Sequence, residues 1–327
     1  MIRKIISASI FILAIGCGIA TGYGVTLASK YAFKNAYAYV SELRTNLVFE
    51  KREEIAQGGP EAIVVESDFN ETISQYSKNF EIKKNKKAPR ISSLSYLVAD
   101  LDTGKVFLSQ NINQQLPIAS VTKLMTAVVA DETLGLDTKT TITSNAINTY
   151  GTQGELKKGE TYLVKELFYP LLLESSNDAA EALAMTKDRS AFISDMNGKA
   201  KSIGLLNTTY EDASGLSPNN KSTVTDLFRL TQYISKYRKY IFEISTEKKI
   251  ELGKKVWFSN SRFRSDKSYV GGKNGYTDEA LKTQVVMFDE DFNGEKRTIV
   301  YIVLRSTDVA YDIKMLRDYV HKNVEYK

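Results

Sequence analysis

The chain has 327 residues with ordinary apolar and charged fractions and a net charge of only +5, enough for one large domain and additional segments. Its basic residues are dispersed outside Lys83-Lys84-Asn85-Lys86-Lys87, so no nucleic-acid partner is expected. His321 and Cys17 are the only histidine and cysteine, which argues against a zinc site, leaves a Ser-His-Asp triad dependent on one C-terminal histidine, and supplies no credible cysteine nucleophile.

Residues 5–28 carry no charge and are mostly apolar, behind Arg3 and Lys4. About 20 apolar residues span a bilayer, and this run exceeds the apolar region of a cleavable signal. The expectation is an uncleaved signal anchor at 1–28, a single-pass transmembrane helix that leaves the rest of the chain outside the cell membrane. Ala14-Ile15-Gly16-Cys17 only loosely resembles a lipoprotein box, since Ala14 stands where leucine is usual, and Cys17 reads as a buried residue of that helix. Residues 29–89 read as a stalk. A mixed-charge helical pattern ends at Gly58-Gly59-Pro60, and polar, lysine-rich sequence follows to Pro89-Arg90. The lysine run reads as solvated linker rather than a binding patch.

A folded domain is expected over 90–327. Ser95–Ala99 reads as a strand, Asp102-Thr103-Gly104 as a turn, and Lys105–Leu108 as the returning strand. Pro117-Ile118-Ala119-Ser120-Val121-Thr122-Lys123 opens an apolar helix, and a section rich in Asp, Thr, Asn and Gly runs to about Glu160. Helices are expected at 163–173, 177–186, 190–203 and 223–237, strands at 268–277, 283–288 and 297–304, and a last helix at 309–323. Strands at both ends with helices between them predict an α+β domain whose terminal strands share one antiparallel sheet.

Within this domain Ser120 and Lys123 stand three apart, so a helix would place them on one face. A serine hydroxyl needs a base to become a nucleophile, and a lysine depressed by burial or by a second cation can be that base. Ser175-Ser176-Asn177 precedes an alanine-rich helical run, where helix capping is the plain alternative. Lys273-Asn274-Gly275-Tyr276-Thr277 follows Gly271-Gly272, where a turn is the plain alternative.

Together, S-x-x-K, S-x-N and K-x-G resemble the signature of penicillin-recognising serine enzymes. The flanks Pro117–Ala127, Ser175–Ala184 and Asn207–Leu216 are similar to the serine D-Ala-D-Ala carboxypeptidases, the low-molecular-mass penicillin-binding proteins, and the resemblance covers residues 91 to about 322. It implies a β-lactamase/transpeptidase-like α+β catalytic domain that acts on peptidoglycan stem peptides, is acylated by β-lactams and needs no metal or other cofactor. Ser120 would then be the nucleophile, Lys123 its base and Ser175 a proton relay to the leaving D-Ala. Asn177 would bind substrate backbone and steady Lys123. Lys273, Asn274 and Gly275 would line the carboxylate end, and the N–H groups of Ser120 and Tyr276 would form the oxyanion hole. Lys123 and Lys273 would each disfavour the other's protonation.

Three departures stand out. Asn274 replaces the usual threonine, Glu174 stands where proline or an apolar residue is usual and reads as a solvated helix-start carboxylate, and the expectation is a catalytic domain without the β-rich domain that follows it in many relatives. A class A β-lactamase is the enzymatic rival, but no Glu-x-x-x-Asn follows the second motif at suitable spacing, and Glu181 lies too close to it. An inactive envelope scaffold is the other rival, although a scaffold needs none of the five motif side chains.

Overall fold

The computed structural model describes residues 80–326 except 84, 85 and 152. The expected anchor and most of the stalk lie outside the described residues, and among those described no helix is long and apolar enough to cross a membrane.

In chain order, β1 (Phe80–Ile82) leads to the hairpin β2 (Ser95–Asp100) and β3 (Val106–Gln110). Asp100 shapes their turn by accepting hydrogen bonds from the backbone and hydroxyl of Thr103. β4 (Leu116–Pro117) enters a 3₁₀ turn at Ala119–Thr122 that continues directly as α1 (Lys123–Leu134). Next come β5 (Lys139–Thr141), α2 (Ser144–Ile147), β6 (Thr161–Leu163), α3 (Val164–Tyr169), α4 (Asn177–Ala184) and α5 (Arg189–Ser202). β7 (Lys221–Ser222), α6 (Val224–Tyr237), α7 (Tyr240–Thr246) and the hairpin β8 (Lys249–Leu252) and β9 (Lys255–Phe258) follow. The long strands β10 (Tyr269–Thr277), β11 (Leu281–Phe292) and β12 (Glu295–Ser306), helix α8 (Val309–Asn323) and β13 (Val324–Tyr326) close the chain.

Five strands form one antiparallel sheet in the order β10-β11-β12-β2-β3. β12 pairs with β2, placing Tyr301 opposite Val98, so the two ends of the domain share one sheet as the sequence predicts. Both faces are covered. Tyr96, Val98, Phe288, Tyr301 and Val303 pack in one cluster with Val309, Ile313, Leu316 and Val320 of α8, whose spacing repeats every three to four residues. On the other side α6 lies against β12 and β2. Thr223 and Asp308 cap α6 and α8 by accepting the backbone N–H three residues on.

Two expectations need adjusting. The fold takes in β1, ahead of the expected boundary at 90, because Phe80 pairs opposite Tyr326 and its ring packs edge-on to Phe107, Phe292 and Tyr326. The helix expected over 163–173 stops at Tyr169, and a π turn covers Pro170–Glu174. Pro170 has no N–H to continue the helical ladder. Instead its carbonyl accepts the N–H of Ser176 at 2.9 Å.

Candidate active site

Ser120 and Lys123 meet as their spacing predicts. Ala119 takes φ +47°, a left-handed value uncommon for a residue with a Cβ, and this turns the chain so that Ser120 falls in the 3₁₀ turn ahead of α1. Lys123 Nζ then lies 2.9 Å from Ser120 Oγ. The amine is fully buried and has two further partners, Asn177 Oδ1 at 2.7 Å and the Ser214 carbonyl at 2.5 Å. A neutral amine has two N–H donors and one lone pair. The two carbonyl oxygens can only accept, so the lone pair is left for the serine hydroxyl. Burial lowers the Lys123 pKa to about 7, while the charges of Asp212 and Glu181 act in the opposite sense. The expected repulsion between the two lysines adds to burial at Lys273. Lys123 is depressed by burial, and Lys273 is depressed well below the ordinary range by burial first and by Lys123 second.

Asp212 shapes the loop that supplies the Ser214 carbonyl. It accepts the N–H groups of Ser214, Gly215 and Ser217. Asn220 fastens this loop to the first motif, donating to Thr122 Oγ1 at 3.1 Å and accepting Glu211 N–H at 2.8 Å. The sequence marks this stretch only as a family-like flank, with no roles attached.

The second motif serves both of its readings. Ser176 caps α4, accepting Ala179 N–H at 3.1 Å, while its neighbours turn to the site. Ser175 has φ +63°, and its Oγ accepts from Lys273 Nζ at 2.8 Å. Asn177 donates to the Tyr150 carbonyl at 2.6 Å, which leaves one amide N–H for a ligand. Glu174 is not the solvated helix-start carboxylate that the sequence suggests. Its two oxygens accept the N–H groups of Gly154 and Phe258, each at 2.9 Å.

The third motif lies within β10 rather than in a turn. Lys273 is almost wholly buried and also donates to the Asn274 carbonyl at 2.8 Å. Gly275 runs so close to the nucleophile that a Cβ there would stand 2.7 Å from Ser120 N and 2.6 Å from Thr283 Oγ1, so a side chain would displace one or the other. Thr283 Oγ1 donates to the Ile118 carbonyl at 2.9 Å, fastening β11 beneath the same turn.

A cleft of about 530 Å³ opens over these groups, lined by Ser120, Ser175, Asn177, Asn274, Gly275 and Tyr276 among others. Lys123 and Lys273 lie buried, each in contact with one of its serines. All eight site residues picked from sequence therefore converge. Arg262 is a further cation on the cleft wall that motif reading missed. Among the described residues its guanidinium makes no ion pair, and the Asn274 amide makes no hydrogen bond, so both are open to a ligand. No motif surrounds Arg262, and only the fold brings it there. Among the described residues no cluster of His, Cys, Asp and Glu could hold a metal ion.

Residues 82–304 match the family model described as D-alanyl-D-alanine carboxypeptidase. A D-alanyl-D-alanine endopeptidase of Pseudomonas aeruginosa is 40% identical over 144 residues, 43% of this chain and 46% of that protein. The D-alanyl-D-alanine carboxypeptidase DacF of Bacillus subtilis is 32% identical over 200 residues, 57% of this chain and 51% of that protein. The chain thus spans about half the length of these curated relatives. Among solved structures, penicillin-binding protein D2 of Listeria monocytogenes with ampicillin bound superposes with a TM-score of 0.63 at 26% identity, covering 72% of this chain and 98% of that one.

Proposed function

The chain belongs to the D-alanyl-D-alanine carboxypeptidase family, and from that premise we propose that it is a serine D,D-carboxypeptidase that removes the terminal D-Ala from peptidoglycan stem peptides and is acylated by β-lactams. The observation that carries this is the buried Lys123 amine, 2.9 Å from Ser120 Oγ and fixed by Asn177 and Ser214. Ser120 Oγ attacks the carbonyl of the penultimate D-Ala as Lys123 Nζ takes its proton. The oxyanion is held by the N–H groups of Ser120 and Tyr276, and loss of one such donor typically costs ~10²–10³ in rate. The proton reaches the leaving nitrogen through Ser175, whose Oγ stands on Lys273. The C–N bond breaks, D-Ala departs, and water releases the shortened peptide from Ser120. The leaving carboxylate lies among Lys273, Asn274 and Arg262.

A β-lactamase reading has less support, because Glu181 is paired with Arg189 at 2.6 Å and both Glu174 oxygens accept backbone N–H groups. A scaffold would have no use for a buried lysine amine held against a serine. The 40% identical endopeptidase favours a second activity on cross-linked peptides, distinguished by comparing a linear pentapeptide with a cross-linked dimer as substrates. Residues 5–28 would tether the protein in the membrane.

Labelling with a fluorescent penicillin tests the proposal. The wild-type chain gives a labelled band and Ser120→Ala gives none. A wild-type chain that takes no label and releases no D-Ala refutes the enzyme and favours the scaffold.

A further inference from the structure

Three segments far apart in the chain meet at the carboxylate of Glu174. Oε2 accepts Gly154 N–H and Oε1 accepts Phe258 N–H, both at 2.9 Å. Gly154 belongs to the loop whose Tyr150 carbonyl holds Asn177. Phe258 closes β9 and leads into Asn260 and Arg262, which line the cleft. Two more bonds close the same junction. Asn260 N–H donates to the Leu173 carbonyl at 2.9 Å, and Trp257 Nε1 donates to the Gly154 carbonyl at 2.8 Å. The loop is pressed against the turn that presents Ser175. A Cβ on Gly154 would lie 2.6 Å from Ser176 Oγ and 3.1 Å from Pro170 Cβ. Ser175 itself keeps a left-handed backbone at φ +63°, a conformation that persists only where the surroundings over-determine it.

We infer that Glu174 is a positioning residue: its carboxylate straps the Gly154 loop and the exit of β9 onto the turn that holds Ser175 Oγ against Lys273 Nζ. An ionised acceptor suits this task, since its bonds to N–H groups are stronger than those of a neutral oxygen. Glu174 acts through Ser175, and the inference rests on the relay role given to Ser175 above.

Trp257 is the only tryptophan of the chain and is 1% exposed, so the intrinsic fluorescence of the full-length protein reads the strap directly. Glu174→Gln preserves shape and one acceptor oxygen but sets an N–H against an N–H. Glu174→Ala removes both acceptors. The kcat for an acyl-D-Ala-D-Ala peptide should fall about 10-fold in the Gln variant and about 100-fold in the Ala variant, with KM within about threefold, as follows when a reacting group is slightly misplaced. Trp257 emission should shift to the red, and its quenching by acrylamide rise, in the same order. Ser175→Ala is measured alongside. If Ser175→Ala keeps the wild-type kcat, the relay role fails and the Glu174 inference falls with it. If Ser175→Ala is slow while both Glu174 variants keep the wild-type kcat, this inference alone is overturned, whatever their melting temperatures. Loss of kcat with unchanged Trp257 emission also overturns it, because the strap is then intact. Should Glu174→Ala not fold, the isosteric Glu174→Gln decides between the same outcomes.

Discussion

Two serine–lysine pairs sit in this site, built by opposite means. Ser120 and Lys123 are three residues apart on one continuous turn, while Ser175 and Lys273 are separated by 98 residues and meet only through the fold. Both serines depend on left-handed backbone, at Ala119 in the first pair and at Ser175 itself in the second. Their lysines differ in electrostatic setting. Burial depresses both, but Asp212 and Glu181 act against it at Lys123, which comes to rest near 7. At Lys273 both causes depress, and no carboxylate opposes them. A base working near neutrality wants a pKa near 7, which fits Lys123. Lys273 instead gains proton affinity when an anion arrives beside it, since a nearby opposite charge favours the charged form. On the proposed function, the local pair would be a base ready before substrate binds, and the assembled pair would be completed by the substrate's carboxylate.

Removing each lysine in turn tests this division with the largest expected effects. Lys123→Met should lower the rate of penicillin acylation by ~10²–10⁴, the usual contribution of a positioned base, with no recovery at higher pH. Lys273→Met should slow acylation less and chiefly raise KM. In the wild type only neutral Lys123 is competent, so the acylation rate rises about tenfold per pH unit below its pKa and levels off above about 7. That limb should stay in place in Lys273→Met. In Glu181→Gln it should move to lower pH, because a charge that favours the protonated amine is gone. Stopped-flow acylation from pH 5 to 9 measures both shifts. A limb that follows Lys273 instead would reverse the assignment.

The two pairs also differ in how far a reader of sequence alone could follow them. The Ser120–Lys123 contact is legible because a helix has a fixed period. The sheet is legible too, since a continuous apolar run such as Ile299–Leu304 marks a strand buried on both faces. The second pair is legible only through the family motif, because nothing in the spacing brings residue 273 to residue 175. Glu174 shows where local reasoning stops. A carboxylate before a helix is ordinarily solvated, and its partners here are Gly154, in the loop ahead of β6, and Phe258, at the end of β9, which only the fold brings close. β1 was missed for a similar reason, since three residues make a strand only because Val324–Tyr326 returns to pair with them.

If the assembled pair is completed by a carboxylate, the groups around that carboxylate should govern binding rather than chemistry. Arg262→Ala should raise KM for an acyl-D-Ala-D-Ala peptide about 10-fold or more, as loss of a hydrogen bond to a charged partner does. Asn274→Thr should change KM and penicillin acylation by about 2–10-fold, because a hydroxyl reaches less far than an amide and donates one bond instead of two. Steady-state kinetics on both variants separate the terms. A fall in kcat at unchanged KM for Arg262→Ala would place it with the chemistry and blur the contrast between the pairs. Unchanged kinetics in Asn274→Thr would mean that its amide does not meet the substrate.

The smallest expected effect concerns the brace of the local pair. Asp178 follows Asn177 in the first turn of α4, is 6% exposed, and has one buried oxygen without a hydrogen-bond partner among the described residues. Burial raises its pKa from 3.8 to about 6. The unfolded chain gives up this proton at lower pH than the folded one, so the folded state loses stability as pH rises from 3.8 towards 6, and the deficit is constant above that. Asp178→Asn should therefore raise Tm by about 2–4 °C at pH 7.5, the shift that ~1 kcal/mol gives in a domain of this size, and by much less at pH 4. Thermal melts at the two pH values measure this. The acylation limb near 7 should stay where it is, because Asp212 and Glu181 are the acids that act on Lys123. A limb displaced to lower pH in Asp178→Asn would add a third acid to them, and the poise of the Ser120–Lys123 pair would then depend on the charge of the turn that braces it.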